Sequence, residues 1–335
     1  MILAGDIGGT NTRLALFDGS ATKPTPVAID VFPSRDHRGL EEILRQFRAQ
    51  HSQAIEAASF GIAGPVRNGR SQTPNLPWIV DSAALANLLG LPSVDLVNDL
   101  EANAHGICVL APEDFVVLHP GAADARGNCA LISAGTGLGE AGLLAEQDGY
   151  RPYPSEGGHC DFAPQNETEI HLLQHLMGRF GHVSYERVLS GPGLYNIYQF
   201  FRDTGRAEEP AWLAEEIRQR DPSAVISQHA LNGNCDLCVK ALDQFVSLYG
   251  AEAGNLALKT MSTGGIFIGG GIAPKILAKL KEPAFLKAFT AKGRISSQLE
   301  AIPVRVIMND KTALLGAARL AARSASKGQG TATRL

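Results

Sequence analysis

"MILAGDIGGTNTRLALFDG", residues 1–19, reads as an apolar strand, a turn of glycine and threonine, and a second apolar strand. "NCALISAGTGLGEAGLLAEQDG", residues 128–149, runs through the same order. Each predicts a strand–turn–strand unit whose turn lacks bulky side chains. Two such units far apart in the chain are weak internal similarity, not a short-period repeat, which argues against a solenoid. They point to two related domains, each opening with a hairpin.

The surrounding elements fit that frame. "GLEEILRQFRAQ" (39–50) has helical spacing, and "AASFGIAG" (57–64) is a buried strand. "DSAALANLLG" (81–90) is a helix capped by Asp81 or Ser82 and stopped by Gly90. "VDLVND" (94–99) is a strand that ends on an amide and a carboxylate. After the second hairpin, "NETEIHLLQHLMGRF" (166–180), "GPGLYNIYQFFRDTG" (191–205) and residues 226–261 read as helices. "GGIFIGGGI" (264–272) and "IPVRVIM" (302–308) are strands, and "DKTALLGAARLAAR" (310–323) is a late helix. "SASKGQGTATRL" (324–335) is small and polar, and is expected to be a disordered tail. Strands alternating with helices predict an α/β fold, and the turn-joined strand pairs predict mixed sheets.

Bulk properties narrow the function. The chain has 335 residues, enough for two domains, and is 44% hydrophobic and 19% charged. Thirty basic and 34 acidic residues give a net charge of −4, so no nucleic-acid partner is expected. No apolar run reaches bilayer length and no secretory leader is read at the start. Five cysteines do not make a disulfide framework in a chain this long. Cys235 and Cys238 form a lone C-x-x-C inside a helical pattern, which is no zinc site. A reducing cytoplasm is expected.

Three glycine clusters follow apolar strands: Gly8-Gly9-Thr10, Gly135-Thr136-Gly137-Leu138-Gly139 and Gly269-Gly270-Gly271. Such turns let backbone N–H groups form an anion nest. Three of them favour a phosphate site over simple hairpins. There is no P-loop motif. Gly137, Gly139 and Gly142 satisfy G-x-G-x-x-G, but a dinucleotide fold needs that motif to open a helix, and "LLAEQDGY" follows it as a strand. Asp6, inside the first strand–turn, suits a magnesium ion bridging phosphate oxygens and water. The alternative is a turn Asp bonding its own backbone.

A second set of polar residues sits in glycine-punctuated loops. "YPSEGGHCDFAP" holds Glu156, His159 and Asp161, "SYERVLSGPG" holds Glu186, and "TPNLPW" holds Asn75. Singly, each has a structural explanation: a satisfied core histidine, a helix-terminal carboxylate, a turn. Together they supply the acceptors and mixed donors that a polyhydroxylated ligand needs. Asn98 and Asp99 could be a helix cap. They could equally serve chemistry, because ligands bind outside the carboxyl ends of strands in open α/β sheets.

"GDIGGTNTRLALFD", "VNDLEANAHG", "AGTGLG", "EGGHCDFAP", "ERVLSGPGL" and "GGIFIGGGIAP" occur in this order from residue 3 to about residue 320. This series resembles the bacterial glucokinases, of the superfamily that joins hexokinases, actins and Hsp70-type chaperones. The resemblance implies two actin-like, ribonuclease H-like domains with mixed sheets flanked by helices and a cleft between them. It implies a small domain over 1–107, with a helix at about 310–323 packing back on it, and a large domain over 108–309. It also implies phosphoryl transfer from ATP, with Mg2+, to the 6-hydroxyl of glucose in the first step of glycolysis, and a homodimer.

Carried over by motif, Asp99 matches the catalytic base and Asn98 its sugar-binding neighbour. Glu156, His159 and Glu186 match residues that hold sugar hydroxyls, and Asn75 falls on another sugar contact. Gly5, Asp6, Ile7, Gly8, Gly9, Thr10 and Asn11 match the first phosphate loop, with Asp6 near magnesium through water. Gly135, Thr136, Gly137 and Gly139 match the second, and Gly270 and Gly271 the nucleotide-side loop. The cysteine-rich zinc motif of related sugar kinases and repressors is not matched. Three alternatives stay open on sequence alone: another hexose substrate, a sugar sensor without catalysis, and a chaperone-type ATPase.

Overall fold

The structure is a computed structural model that describes residues 1–20, 22–73, 76–147 and 149–332, with side chains through residue 326. The chain divides into two compact units. The first comprises Met1–Pro112, Glu146–Pro154 and Asn309–Leu335, and the second Glu113–Ala145 and Ser155–Met308.

In the first unit, β1 (Ile2–Ile7), β2 (Asn11–Phe17), β3 (Pro26–Pro33), β4 (Ala57–Ile62) and β8 (Asp95–Asn98) form a mixed sheet ordered β3-β2-β1-β4-β8. Between β4 and β8 lie β5 (Val66–Arg67), β6 (Arg70–Gln72) and β7 (Ile79–Asp81), a separate three-stranded sheet. Strand alternation divides β1 between two cores. Leu3 and Ile7 join Phe47, Phe60 and Trp78 under the helix Leu40–Gln50. Ile2 and Ala4 join Leu314, Ala317, Ala318 and Ala321 of the helix Thr312–Ala332. Each large apolar side chain so buried contributes roughly 1.5–3 kcal/mol.

The last helix packs very closely on the helix Asp99–Ile107. A Cβ on Gly316 would run into the Ala102 carbonyl, and one on Gly106 into the Thr312 carbonyl. The stretch read as a tail from residue 324 therefore differs in the structure: the helix continues to Ala332. Ser324 lies on its inner side and donates to Asp95 at 2.7 Å. That contact is long-range, and composition carries no sign of it.

A six-stranded sheet ordered β12-β11-β10-β13-β14-β9 is made by β9 (Phe115–His119), β10 (Cys129–Ala134), β11 (Leu138–Glu146), β12 (Gly149–Ser155), β13 (Gly265–Gly269) and β14 (Val304–Ile307). Helices cover it, above all the 25-residue helix Asp236–Thr260, which buries Leu242, Phe245 and Tyr249. Cys235 caps that helix rather than lying within it, and Cys238 follows in its first turn; both are buried in the apolar core. The polar stretch 202–223 contains a further helix, Ala211–Gln219, which buries Leu213 and Ile217.

Both hairpins form as read. β1 pairs antiparallel with β2 and parallel with β4, and β10 pairs antiparallel with β11 and parallel with β13. No helix among the described residues is long and apolar enough to cross a membrane.

Candidate active site

In the first unit the parallel strands β1, β4 and β8 end side by side. Ile7 aligns with Ile62, and Ile62 with Asn98. The chain leaves β1 through the Gly8-Gly9-Thr10 turn, closed by the Gly8 N–H donating to the Asn11 carbonyl at 3.0 Å. Gly5 is required one layer down, since a Cβ there would strike the Phe60 ring. Ser34 holds the turn from outside. Its hydroxyl donates to the Gly8 carbonyl at 2.8 Å, its N–H donates to the Thr10 carbonyl at 2.9 Å, and Thr12 Oγ1 lies 3.0 Å from its hydroxyl. Nothing in the local sequence marks Ser34, because it reaches this turn only through the β2–β3 pairing.

Asn98 caps the helix Asp99–Ile107, accepting from Leu100 N–H at 2.8 Å, and its side-chain amide donates to the Gly64 carbonyl at 3.0 Å. Capping and chemistry are thus compatible for this residue. Its amide fixes β8 to the loop after β4 and leaves Asp99 as the first residue of the helix. A negative charge is favoured at that position. Asp99 Oδ1 also accepts from Leu100 N–H at 2.9 Å.

Asp6 lies opposite Arg13 in the β1–β2 ladder. Burial raises its carboxyl above the usual range. Arg13 works against that shift and Asp310 adds to it. Arg13 is itself shared with Asp310, at 3.2 Å to the carboxylate and 2.7 Å to the carbonyl. A desolvated carboxylate whose cation is shared has the donor chemistry of a hydrated magnesium site. Among the described residues no group of three or more ligating side chains gathers. An ion held by Asp6 would therefore keep water and substrate oxygens as its other ligands.

In the second unit the β10–β11 hairpin is the chassis. At its tip, Gly135 N–H donates to the Gly137 carbonyl at 2.8 Å, and the Gly135 carbonyl accepts from Gly191 N–H at 2.8 Å. Gly191 opens the helix Gly191–Asp203, capped by the Ser190 hydroxyl, so its N-terminus abuts the turn. Helix N-termini favour phosphate. The Gly270 loop stacks on the same place. Its φ is +83°, a Cβ there would collide with the Ala134 carbonyl, and Ile272 N–H donates to that carbonyl at 3.3 Å. The buried Tyr249 hydroxyl joins the strand ends, accepting from Ala134 N–H at 3.2 Å and donating toward the Gly269 carbonyl at 3.3 Å.

A cavity of about 1030 Å³ opens beside these loops, lined by Gly135, Thr136, Gly191, Ser223, Gly271 and Lys275 among others. That volume accommodates a nucleotide. Ser190, Tyr249, Ser223 and Lys275 carry no sequence signal that a glycine search would find. The "SGPG" loop, a cap followed by Gly and Pro, is the one local clue.

The polar loops also gather on the hairpin. Glu186, in the short turn Tyr185–Arg187, accepts from Leu138 N–H at 3.0 Å and lies against Gly137. Gly157 and Gly158 also rest on β11, where Cβ atoms would strike Glu140 and the Leu138 carbonyl. The turn Gly157–His159 leaves the Glu156 and His159 side chains exposed. The two loops are stitched together. Tyr185 N–H donates to the Cys160 carbonyl at 3.0 Å and Phe162 N–H to the Val183 carbonyl at 2.9 Å. Asp161 is drawn aside into a pair with His182 at 2.7 Å. Asn75 lies outside the described residues.

The sequence profile of the family described as "Glucokinase" matches residues 3–324. A glucokinase from a Nostoc species is 41% identical over 339 residues, covering 96% of this chain and 99% of the relative. The crystal structure of a glucokinase from an Antarctic psychrotroph superposes with a TM-score of 0.83 at 32% identity, covering 96% of this chain and 98% of that one. A ROK family glucokinase from Streptomyces griseus, crystallised with glucose and AMPPNP, shares the fold with a TM-score of 0.64 at 21% identity, over 96% of this chain and 99% of that one.

Proposed function

The chain belongs to the glucokinase family and catalyses ATP-dependent phosphorylation of glucose at its 6-hydroxyl, and from that premise we propose that Asp99 is the base that takes the hydroxyl proton. The observation that carries this reading is the end of β8. It delivers Asn98 as a cap and Asp99 as the first helical residue, in line with the first phosphate turn. Phosphoryl transfer is mainly positioning and charge stabilisation, with a carboxylate accepting the attacking hydroxyl's proton.

Glu156, His159, Glu186 and Asn98 hold the sugar hydroxyls, so that a single hydroxyl is presented. Asn75 adds a further contact in this reading. Backbone N–H groups of residues 8–11 and 135–139 receive the phosphates, and the cavity beside Gly135 and Gly271 receives the nucleoside. Asp6 would hold magnesium through water, and bound there the ion neutralises charge on the transferring group. A cytoplasmic, reducing location agrees with Cys108, Cys160, Cys235 and Cys238, which stand as free thiols. The family likeness carries a homodimer as well, which sedimentation velocity checks.

The test is coupled ATP turnover over a panel of hexoses, with wild type and Asp99→Asn. Glucose should drive turnover, and the variant should lose about 10²–10⁴-fold in kcat while calorimetry still shows glucose binding. Activity of the variant within a few fold of wild type would remove Asp99 from the role of base.

A further inference from the structure

Beneath the loops assigned to glucose lies a carboxyl pair that the reaction does not use. Glu140, on β11, is 1% exposed, and Glu252, on the helix Asp236–Thr260, is 0% exposed. The two carboxyl groups are close enough to interact, and a proton on one of them can be shared with the other. Glu252 already accepts from Asn255 Nδ2 at 2.8 Å and Lys259 Nζ at 3.1 Å. Those donors demand a carboxylate, so the proton of the pair resides on Glu140, whose O–H donates to Glu252. Oε1 of Glu140 has no hydrogen-bond partner among the described residues, whereas Glu252 is well supplied.

This pair touches both sugar loops. Oε2 of Glu140 is the surface on which Gly157 sits, so closely that a Cβ would collide with it. Gly157 N–H is held by the Ser155 hydroxyl at 3.0 Å, which leaves the next residues little freedom to lift. On the other side, Asn255 Nδ2 also donates to the Tyr185 hydroxyl at 2.9 Å, and Tyr185 directly precedes Glu186. Lys292 Nζ fixes Asn255 Oδ1 at 2.6 Å and the Ala251 carbonyl at 2.8 Å.

We propose that Glu140 is a positioning residue for glucose: as a neutral acid bonded to Glu252, it seats Gly157 and so fixes Glu156 and His159, and loss of its proton unseats them. The inference rests on the assignment of Glu156 and His159 to the sugar. Burial, then the neighbouring Glu252, pushes the Glu140 carboxyl up to about 8, against Lys259. Ionisation places a second negative charge against Glu252, and the pair must separate toward Gly157. The other titratable groups facing this site are Lys259, Tyr249, Tyr185 and Lys292, with Cys160 beside Lys259. Burial holds both tyrosines above their ordinary range, and burial brings Lys292 down.

The experiment is steady-state kinetics from pH 6.5 to 9.5 on wild type, Glu140→Gln and Glu140→Ala. Glutamine keeps the shape and a donor to Glu252 but cannot ionise. In wild type, the KM for glucose should climb above pH 8, by up to about tenfold per pH unit, while the KM for ATP stays level. Glu140→Gln should hold its neutral-pH KM for glucose across the range. This isolates Glu140 from Lys292, which titrates alike in both proteins. Glu140→Ala should raise the KM for glucose at pH 7 by about fivefold or more with the KM for ATP unchanged. A flat wild-type profile, or the same climb in Glu140→Gln, overturns the proposal even if the alanine variant does not fold. Glu156→Gln and His159→Ala are run alongside. If neither alters the KM for glucose, it is the sugar assignment that fails; if both do and the Glu140 profiles match wild type, only this inference fails.

Discussion

The two hairpins share a plan and differ in how each handles a buried acid. β1–β2 and β10–β11 each pair antiparallel, and each first strand runs parallel to the next strand inward. In the first, Asp6 faces Arg13 across the ladder, and Arg13, which lowers the Asp6 value, is paired with Asp310. In the second, Glu140 faces the apolar Ile132, and its polar neighbour is another carboxyl. Burial raises both acids above their ordinary values. One hairpin thus sets its acid opposite a cation, and the other sets its acid against a second carboxyl. The same backbone gives its two acids different electrostatic surroundings because their neighbours differ.

Asp6→Asn breaks the comparison most severely. It is expected to cut kcat about 10²-fold or more and to raise the magnesium concentration needed for half-maximal activity. The same substitution should raise Tm at neutral pH. An acid whose value is raised by folding loses stability as pH rises from its unfolded value through its folded one, and asparagine removes that loss. A variant that is less active and also less stable would show that Arg13 depends on Asp6 more than Asp6 suffers from burial.

Gly316→Ala tests the support of the first hairpin. Its Cβ would meet the Ala102 carbonyl in the helix that carries Asp99. Overpacking at such a site costs roughly 1–3 kcal/mol, read as a lower Tm in calorimetry. An unchanged Tm would mean that the two helices slide apart at little cost.

Glu186→Gln tests the second hairpin and should have the smallest effect. The carboxylate accepts from Leu138 N–H, and the neutral amide accepts more weakly. The KM for glucose should rise about tenfold, with a smaller rise for ATP through the adjoining turn. An effect on ATP alone would make Glu186 a brace for the phosphate turn and not a sugar ligand.

Much of the fold was legible locally. Alternating apolar residues in 1–19 and 128–149 gave both hairpins, and Asp81 and Gly90 bounded their helix as capping chemistry requires. The phosphate turns were legible because only glycine permits such close approach of backbone to its neighbours, as at Gly270. The course of the last helix was not, since residues 324–335 have the composition of a tail and Ser324 finds its partner in Asp95. Ser34 and Tyr249 were equally silent: each acts on a different segment of the chain.

The sequence by itself therefore determined the α/β class, the paired hairpins, the glycine turns and the residue types able to bind phosphate and hydroxyls. These follow from periodicity, backbone freedom and side-chain chemistry, which are properties of short segments. Only the tertiary structure decided the electrostatic surroundings of each buried carboxyl. Glu140 and Asp6 look alike in sequence, each an acid in an apolar strand. Their charge depends on desolvation and on what lies a few ångströms away: Arg13 and Asp310 for one, Glu252 and Lys259 for the other. Electrostatic energy falls with distance in space and not along the chain, so no local reading of residues could assign it.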